Sequence, residues 1–166
     1  MQTNSIKIIR KICITYIALI ALSLLFSNCS KKSYPTSVVF GEVSYVSYKE
    51  DILTLRVGGV GKNMGEAIDN AMAVAISNIL FRGIPNSSLN HPMVGIDERT
   101  EMAKNKPYFD DLYKYKHYGS FIPSAVPETE APKNGKPIYI STIIQINITA
   151  LRMDLENNNI IHKFGL

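Results

Sequence analysis

The chain has 166 residues, 46% of them hydrophobic and 19% charged, a length that suits one core of ordinary size. Its two cysteines, Cys13 and Cys29, both fall within the first thirty residues, so the rest of the chain has no thiol for a disulfide framework or a Cys-based zinc site. Of its 18 basic residues, Lys7, Arg10 and Lys11 lie at the extreme N-terminus, and the remaining 15 stand against 14 acidic ones, so nucleic-acid binding has no compositional support.

Those three cations precede an almost unbroken apolar run from Ile12 to Phe26, the pattern of an export signal. The run is shorter than the roughly 20 residues that a bilayer core needs, and it ends in the small polar residues Ser27 and Asn28. The stretch "LLFSNC" resembles a bacterial lipobox, with Phe26 where Leu is usual and Asn28 where a smaller residue is usual. The resemblance implies removal of residues 1–28, lipidation of Cys29 and a membrane partner reached through that lipid, with the outer membrane as the expected location. Residues 29–37, which include Lys31, Lys32 and Pro35, read as a lipidated tether, and 38–166 as one domain.

The first elements of that domain are two strands, 38–48 and 52–57, joined by a hairpin over Lys49, Glu50 and Asp51. The glycine-rich stretch "LRVGGVGKNMGEA" fails both phosphate-binding patterns. Gly65 falls one residue late for a dinucleotide fingerprint, and Gly61-Lys62 is succeeded by Asn63 where a P-loop needs Ser or Thr. The same residues predict a strand-to-helix corner, with Gly58, Gly59 and Gly61 at a bend or bulge where the strand leaves the sheet. Asn63 and Glu66 have the spacing of an N-cap and its N3 partner, so a helix starts at Met64. Ala67, Ile68, Ala71, Met72, Ala75, Ile76 and Ile79 then form an apolar stripe, and the alanines permit close approach to a sheet. Gly83, Ile84 and Pro85 end the helix.

Beyond a polar loop at 86–91, a shorter helix is expected from about Asp97 to Lys104, then an interruption at Pro107 and a third strand over 113–122. Residues 123–137 contain four prolines and Asn134-Gly135, which predicts a long exposed connection outside the sheet. Residues 138–149 have the strongest strand composition in the chain, and 150–156 read as a short helix ended by Asn157, Asn158 and Asn159. The expected fold class is α+β, an antiparallel sheet with one long helix packed on a face.

The run "VGGVGKNMGEAIDNAMAVAISNIL" resembles the core of small envelope lipoproteins related to the N-terminal domain of flagellar assembly protein T. "LFRGIP" and "LRMDLENNNIIHKFGL" resemble segments of uncharacterised Bacteroidota lipoproteins with the same layout. The resemblance implies an envelope assembly or scaffold role, and it carries no catalytic residues and no flagellar partner.

Candidate chemistry is sparse. His91, His117 and His162 lack metal-ligand spacing, Asp97-Glu98 and Asp110-Asp111 are adjacent pairs that point apart, and Ser87 and Ser88 lack a nucleophile elbow. No catalytic residue, metal or cofactor is therefore expected; a hydrolase would need a cleft in which His117 or the acidic pairs converge. Residues 106–122 interleave tyrosines with lysines, and Tyr115, Lys116, His117 and Tyr118, with the proline-rich loop, are the candidate interaction surface. The competing reading puts Phe109, Leu112, Tyr113 and Tyr115 in the core beside the long helix. The expected function is a lipid-anchored, non-catalytic assembly or interaction module with an envelope protein partner; the alternative is a glycan- or peptidoglycan-binding accessory domain assisting a cell-wall enzyme.

Overall fold

The computed structural model describes residues 41–128 and 138–163. The export signal, Cys29, the tether, residues 38–40 and the loop 129–137 lie outside the described residues. In chain order the elements are β1 (Val43–Lys49), β2 (Ile52–Gly61), α1 (Met64–Phe81), α2 (Glu98–Lys104), α3 (Lys106–Lys114), a 3-10 helix (His117–Phe121), β3 (Ser124–Pro127), β4 (Ile138–Asn147) and α4 (Ile148–Asn157). The strands form one antiparallel sheet in the order β1-β2-β4-β3, which makes this an α+β fold.

The hairpin between β1 and β2 turns through Glu50 and Asp51, both at positive φ, so the two-residue turn matches the twist of its strands. On one sheet face Leu53, Leu55 and Val57 of β2 lie beside Ile140, Ile144 and Ile146 of β4, all buried under α1. On the other face Arg56 forms a forked pair with Glu128, with Nε–Oε distances of 2.9 and 3.1 Å, and Ser141 Oγ donates to the same carboxylate. The guanidinium holds the Glu128 carboxyl below its usual value.

The glycines do not release β2 from the sheet. Gly58, Gly59 and Gly61 remain paired with Ser141, Ile140 and Ile138 of β4, which corrects the expected bend. Gly59 and Gly61 serve proximity to α1: a Cβ on Gly59 would lie 2.1 Å from the Ala67 carbonyl oxygen and 2.8 Å from Ala71 Cβ, and one on Gly61 would lie 2.4 Å from Ala67 N, whereas one on Gly58 would meet the Tyr139 hydroxyl. Small residues on both sides bring the helix backbone against the strand backbone.

α1 begins at Met64 as expected. Asn63 Oδ1 accepts from Glu66 N at 2.9 Å, while the Glu66 carboxylate reaches back one residue further than a standard box, to Lys62 N at 3.0 Å. At the other end Gly83, at φ 78°, donates to Asn78 O and turns Ile84 into the core.

Three expectations from 105 onward are corrected. Pro107 lies in the first turn of α3, where its missing N–H costs nothing, so it opens a helix there. Residues 113–122 form the end of α3 and the 3-10 helix; Phe109 and Leu112, three residues apart, carry a helical stripe that outweighs the strand-like composition of the tyrosines. Ser124–Pro127 joins the sheet after all, as β3 on its edge, a position where proline leaves no ladder bond unmade.

Candidate functional site

A cleft lined by polar side chains lies between α3, the 3-10 helix and α4. α3 buries Phe109 and Leu112, which turns Tyr108 and Asp111 toward α4. The chain leaves α3 at Tyr115 and reverses through Lys116 in the left-handed region, with φ 59° and ψ 31°. Lys116 is held there by an ion pair with Asp69 of α1, so the 3-10 helix starts at a defined place. His117, its first residue, sets its ring edge-on against Phe121 at 5.3 Å.

α4 supplies the facing wall. Asn147 caps it by accepting from Ala150 N at 2.9 Å, and Ile148, Leu151 and Leu155 bury one side. Asp154 and Asn158, four residues apart, therefore share the other side. Asn159 at φ 57° and a bond from Ile160 N to Leu155 O end the helix and return Ile160 to the cleft wall.

The result is a cleft of about 490 Å³, lined also by Lys104, Asn105 and Pro107. The Tyr108 hydroxyl donates to Asp154 Oδ2 at 2.8 Å. His117 Nδ1 lies 4.0 Å from Asp111 Oδ2, and Nε2 lies 3.8 Å from Asp154 Oδ1. Both separations are too long for direct hydrogen bonds. Burial, together with the bond to Asp154 and its charge, raises the Tyr108 pKa far above the ordinary tyrosine value.

This arrangement meets part of the condition set for a hydrolase, since His117 and Asp111 converge with Asp154. It supplies a base with flanking carboxylates, yet the nearby hydroxyls are engaged: Tyr108 donates to Asp154, and Ser120 Oγ donates to His117 O at 2.8 Å. No group of three His, Cys, Asp or Glu side chains among the described residues is arranged to hold a metal ion.

The four candidate surface residues separate. Tyr115 is 68% exposed, with the Lys114 ammonium 5.0 Å from its ring centre, so it belongs to the surface and not to the core. Lys116 is committed to Asp69 and His117 enters the cleft. Tyr118 is 3% exposed and packs 6.3 Å from Tyr113, which corrects its place on an interaction face: its ring is core. Burial beside Asp69 pushes its hydroxyl up to about 12. His162 lines a smaller adjoining hollow of about 310 Å³ that shares Lys104 and Ile160 with the cleft.

Asp97 and Glu98 also part company. Asp97 caps α2 through Thr100, and those hydrogen bonds hold its carboxyl below the usual range; Glu98 turns to Ser77 and Arg82. The cleft residues that sequence reasoning misses are Tyr108, Asp154 and Asn158. The Asp154–Asn158 spacing, opposite Leu151 and Leu155, marks a polar helix face, but nothing local to α4 points it toward residue 117. Comparison with known proteins finds no matching family model, no matching curated protein and no matching solved structure.

Proposed function

We propose that this chain is an exported lipoprotein, held to the cell envelope by lipid on Cys29, whose α+β domain is a non-catalytic assembly or interaction module for an envelope protein. The observation that carries this reading is the N-terminal sequence: three cations, the apolar run from Ile12 to Phe26, and "LLFSNC". The outer membrane is the proposed resting place.

Cross-linking in intact cells tests it, with an affinity tag near Asn134 and Cys29→Ala as the unanchored control. A discrete protein recovered with the native chain and lost with Cys29→Ala supports the reading. Recovery of bulk envelope proteins alone, or Cys29→Ala retaining the same membrane fraction, overturns it.

A second reading, a glycan-directed accessory domain, is favoured by the cleft. Carboxylates, amide groups and an imidazole over an apolar wall suit polyhydroxylated ligands better than they suit a flat protein surface.

A further inference from the structure

We infer that the cleft between α3 and α4 is a binding site for an uncharged saccharide unit, with His117 and Asp111 as the pair that holds its hydroxyl groups. The inference rests on the glycan-directed reading and gives that reading a site and a ligand class.

A cleft of about 490 Å³ lies within the range of about 300–1,000 Å³ in which small-ligand sites fall. Its charges are mixed: the carboxylates of Asp111 and Asp154 and the ammonium of Lys104 line the same cleft, so neither an anion nor a cation finds a field of one sign.

Hydrogen-bond geometry then chooses among uncharged ligands. Each imidazole nitrogen faces a carboxylate oxygen across a gap of 3.8 or 4.0 Å, too wide for a direct bond but narrow enough for one oxygen atom to reach both sides. A hydroxyl is donor and acceptor at once, so it satisfies an imidazole N–H and a carboxylate together. An ammonium ion can only donate and leaves the imidazole N–H without an acceptor; a carboxylate can only accept and leaves Asp111 and Asp154 without a donor.

The site is held in place before any ligand arrives. Tyr108 fixes Asp154 through its 2.8 Å bond, and Phe121 supports the His117 ring from behind. Asn158 Nδ2 donates to Asp154 O at 2.9 Å, which leaves its amide oxygen as an acceptor. Pro107 and Ile160 give an apolar wall for the C–H face of a sugar ring.

The test uses the full chain in detergent micelles, labelled for NMR, with the His117 ring resonances monitored during titration. Probes are N,N′-diacetylchitobiose and cellobiose as uncharged disaccharides, with glucosamine and inorganic phosphate as charged comparisons. The inference expects an uncharged disaccharide to shift the His117 resonances in the millimolar range. Asp111→Ala should weaken that binding at least tenfold, while Asp110→Ala, which removes the carboxylate paired with Lys106, should leave it unchanged. Unchanged Tyr118 and Phe109 resonances in both variants show that the fold is intact. Saccharide binding unaffected by Asp111→Ala would overturn the site and spare the glycan reading. No binding of either disaccharide would overturn both, and tighter binding of glucosamine or phosphate than of the uncharged sugars would overturn the ligand class.

Discussion

Between β2 and α1 the chain meets itself through Gly59, Gly61, Ala67 and Ala71, and no side chain larger than a methyl separates the two backbones. Between α3 and α4 the facing groups are Tyr108, Asp111, His117 and Asp154, and they leave a cleft. The first region is close-packed, with little tolerance of added volume, and Asn70 Oδ1 of α1 accepts from Val60 N there at 3.0 Å. The second holds polar groups apart at a defined spacing, which takes a firm support: Phe109 packs behind it, tilted against Phe81 and stacked on Tyr113, with ring centres 5.6 and 6.5 Å apart. Phe109, Leu112 and Leu155 share one buried cluster with Ala71, Leu55, Ile76 and Ile144, whereas Ala67 packs in a second, smaller one with Ile138 and Ile140. A single α+β domain thus holds an unyielding sheet contact at one side and an open polar cleft at the other.

The sharpest way to separate the two regions is alkaline pH. Tyr108, Tyr113 and Tyr118 all belong to α3 or the 3-10 helix, and burial raises all three above the ordinary tyrosine value of about 10. Tyr118 is pushed up to about 12 and the other two lie higher. A raised folded-state value means that the unfolded chain releases these protons first. Their contribution is therefore complete below pH 10 and falls as pH climbs from about 10 through 12. Denaturant midpoints should drop steeply over that window, and tyrosinate absorbance from these residues should rise together with unfolding. Absorbance that rises fully while the fold persists would break the picture of a sealed support behind the cleft.

Next in size is Phe109→Ala. Phe109 is fully packed, and its truncation should cost about 3–5 kcal/mol. Because its cluster is continuous with the sheet core, chemical denaturation should keep one transition at a lower midpoint. A separate early transition confined to α3 and α4 would show two independent cores.

On the other side of the comparison, Gly59→Ala should cost about 1–3 kcal/mol, or more where the backbone cannot yield, since its Cβ meets the Ala67 carbonyl oxygen and not the end of a flexible side chain. Saccharide affinity per folded molecule should stay unchanged, because Gly59 lies in the sheet and the cleft is built from α3, the 3-10 helix and α4.

The two regions are also unequally legible in the sequence. The capped start at Met64, the alanine stripe and the Gly83 stop are local signals, each readable from a few neighbouring residues, and α1 obeys them. The glycines of β2 suggest a departure from the sheet because composition reports freedom of the backbone and not what packs upon it. At the cleft end, the pairings of residue 108 or 117 with 154 span long sequence separations and have no local signature. Tyr118 misleads for a related reason: a tyrosine among lysines looks exposed, until the left-handed turn at Lys116 directs it inward.

The smallest effect tests how dry the sheet side is. Thr142 lies on the inward face of β4, opposite Val57 of β2 and Pro127 of β3, with no exposed surface. Its hydroxyl has no hydrogen-bond partner there, and a buried unpaired hydroxyl carries a desolvation penalty without return. Thr142→Val replaces that hydroxyl by a methyl of similar size and should raise stability by about 1 kcal/mol, read as a higher denaturant midpoint with unchanged slope. Thr142→Ser, which keeps the hydroxyl and loses the methyl, should lower it. If Thr142→Val is neutral or destabilising, the hydroxyl is satisfied by water within the sheet core, and the division between an apolar sheet side and a polar cleft side no longer holds.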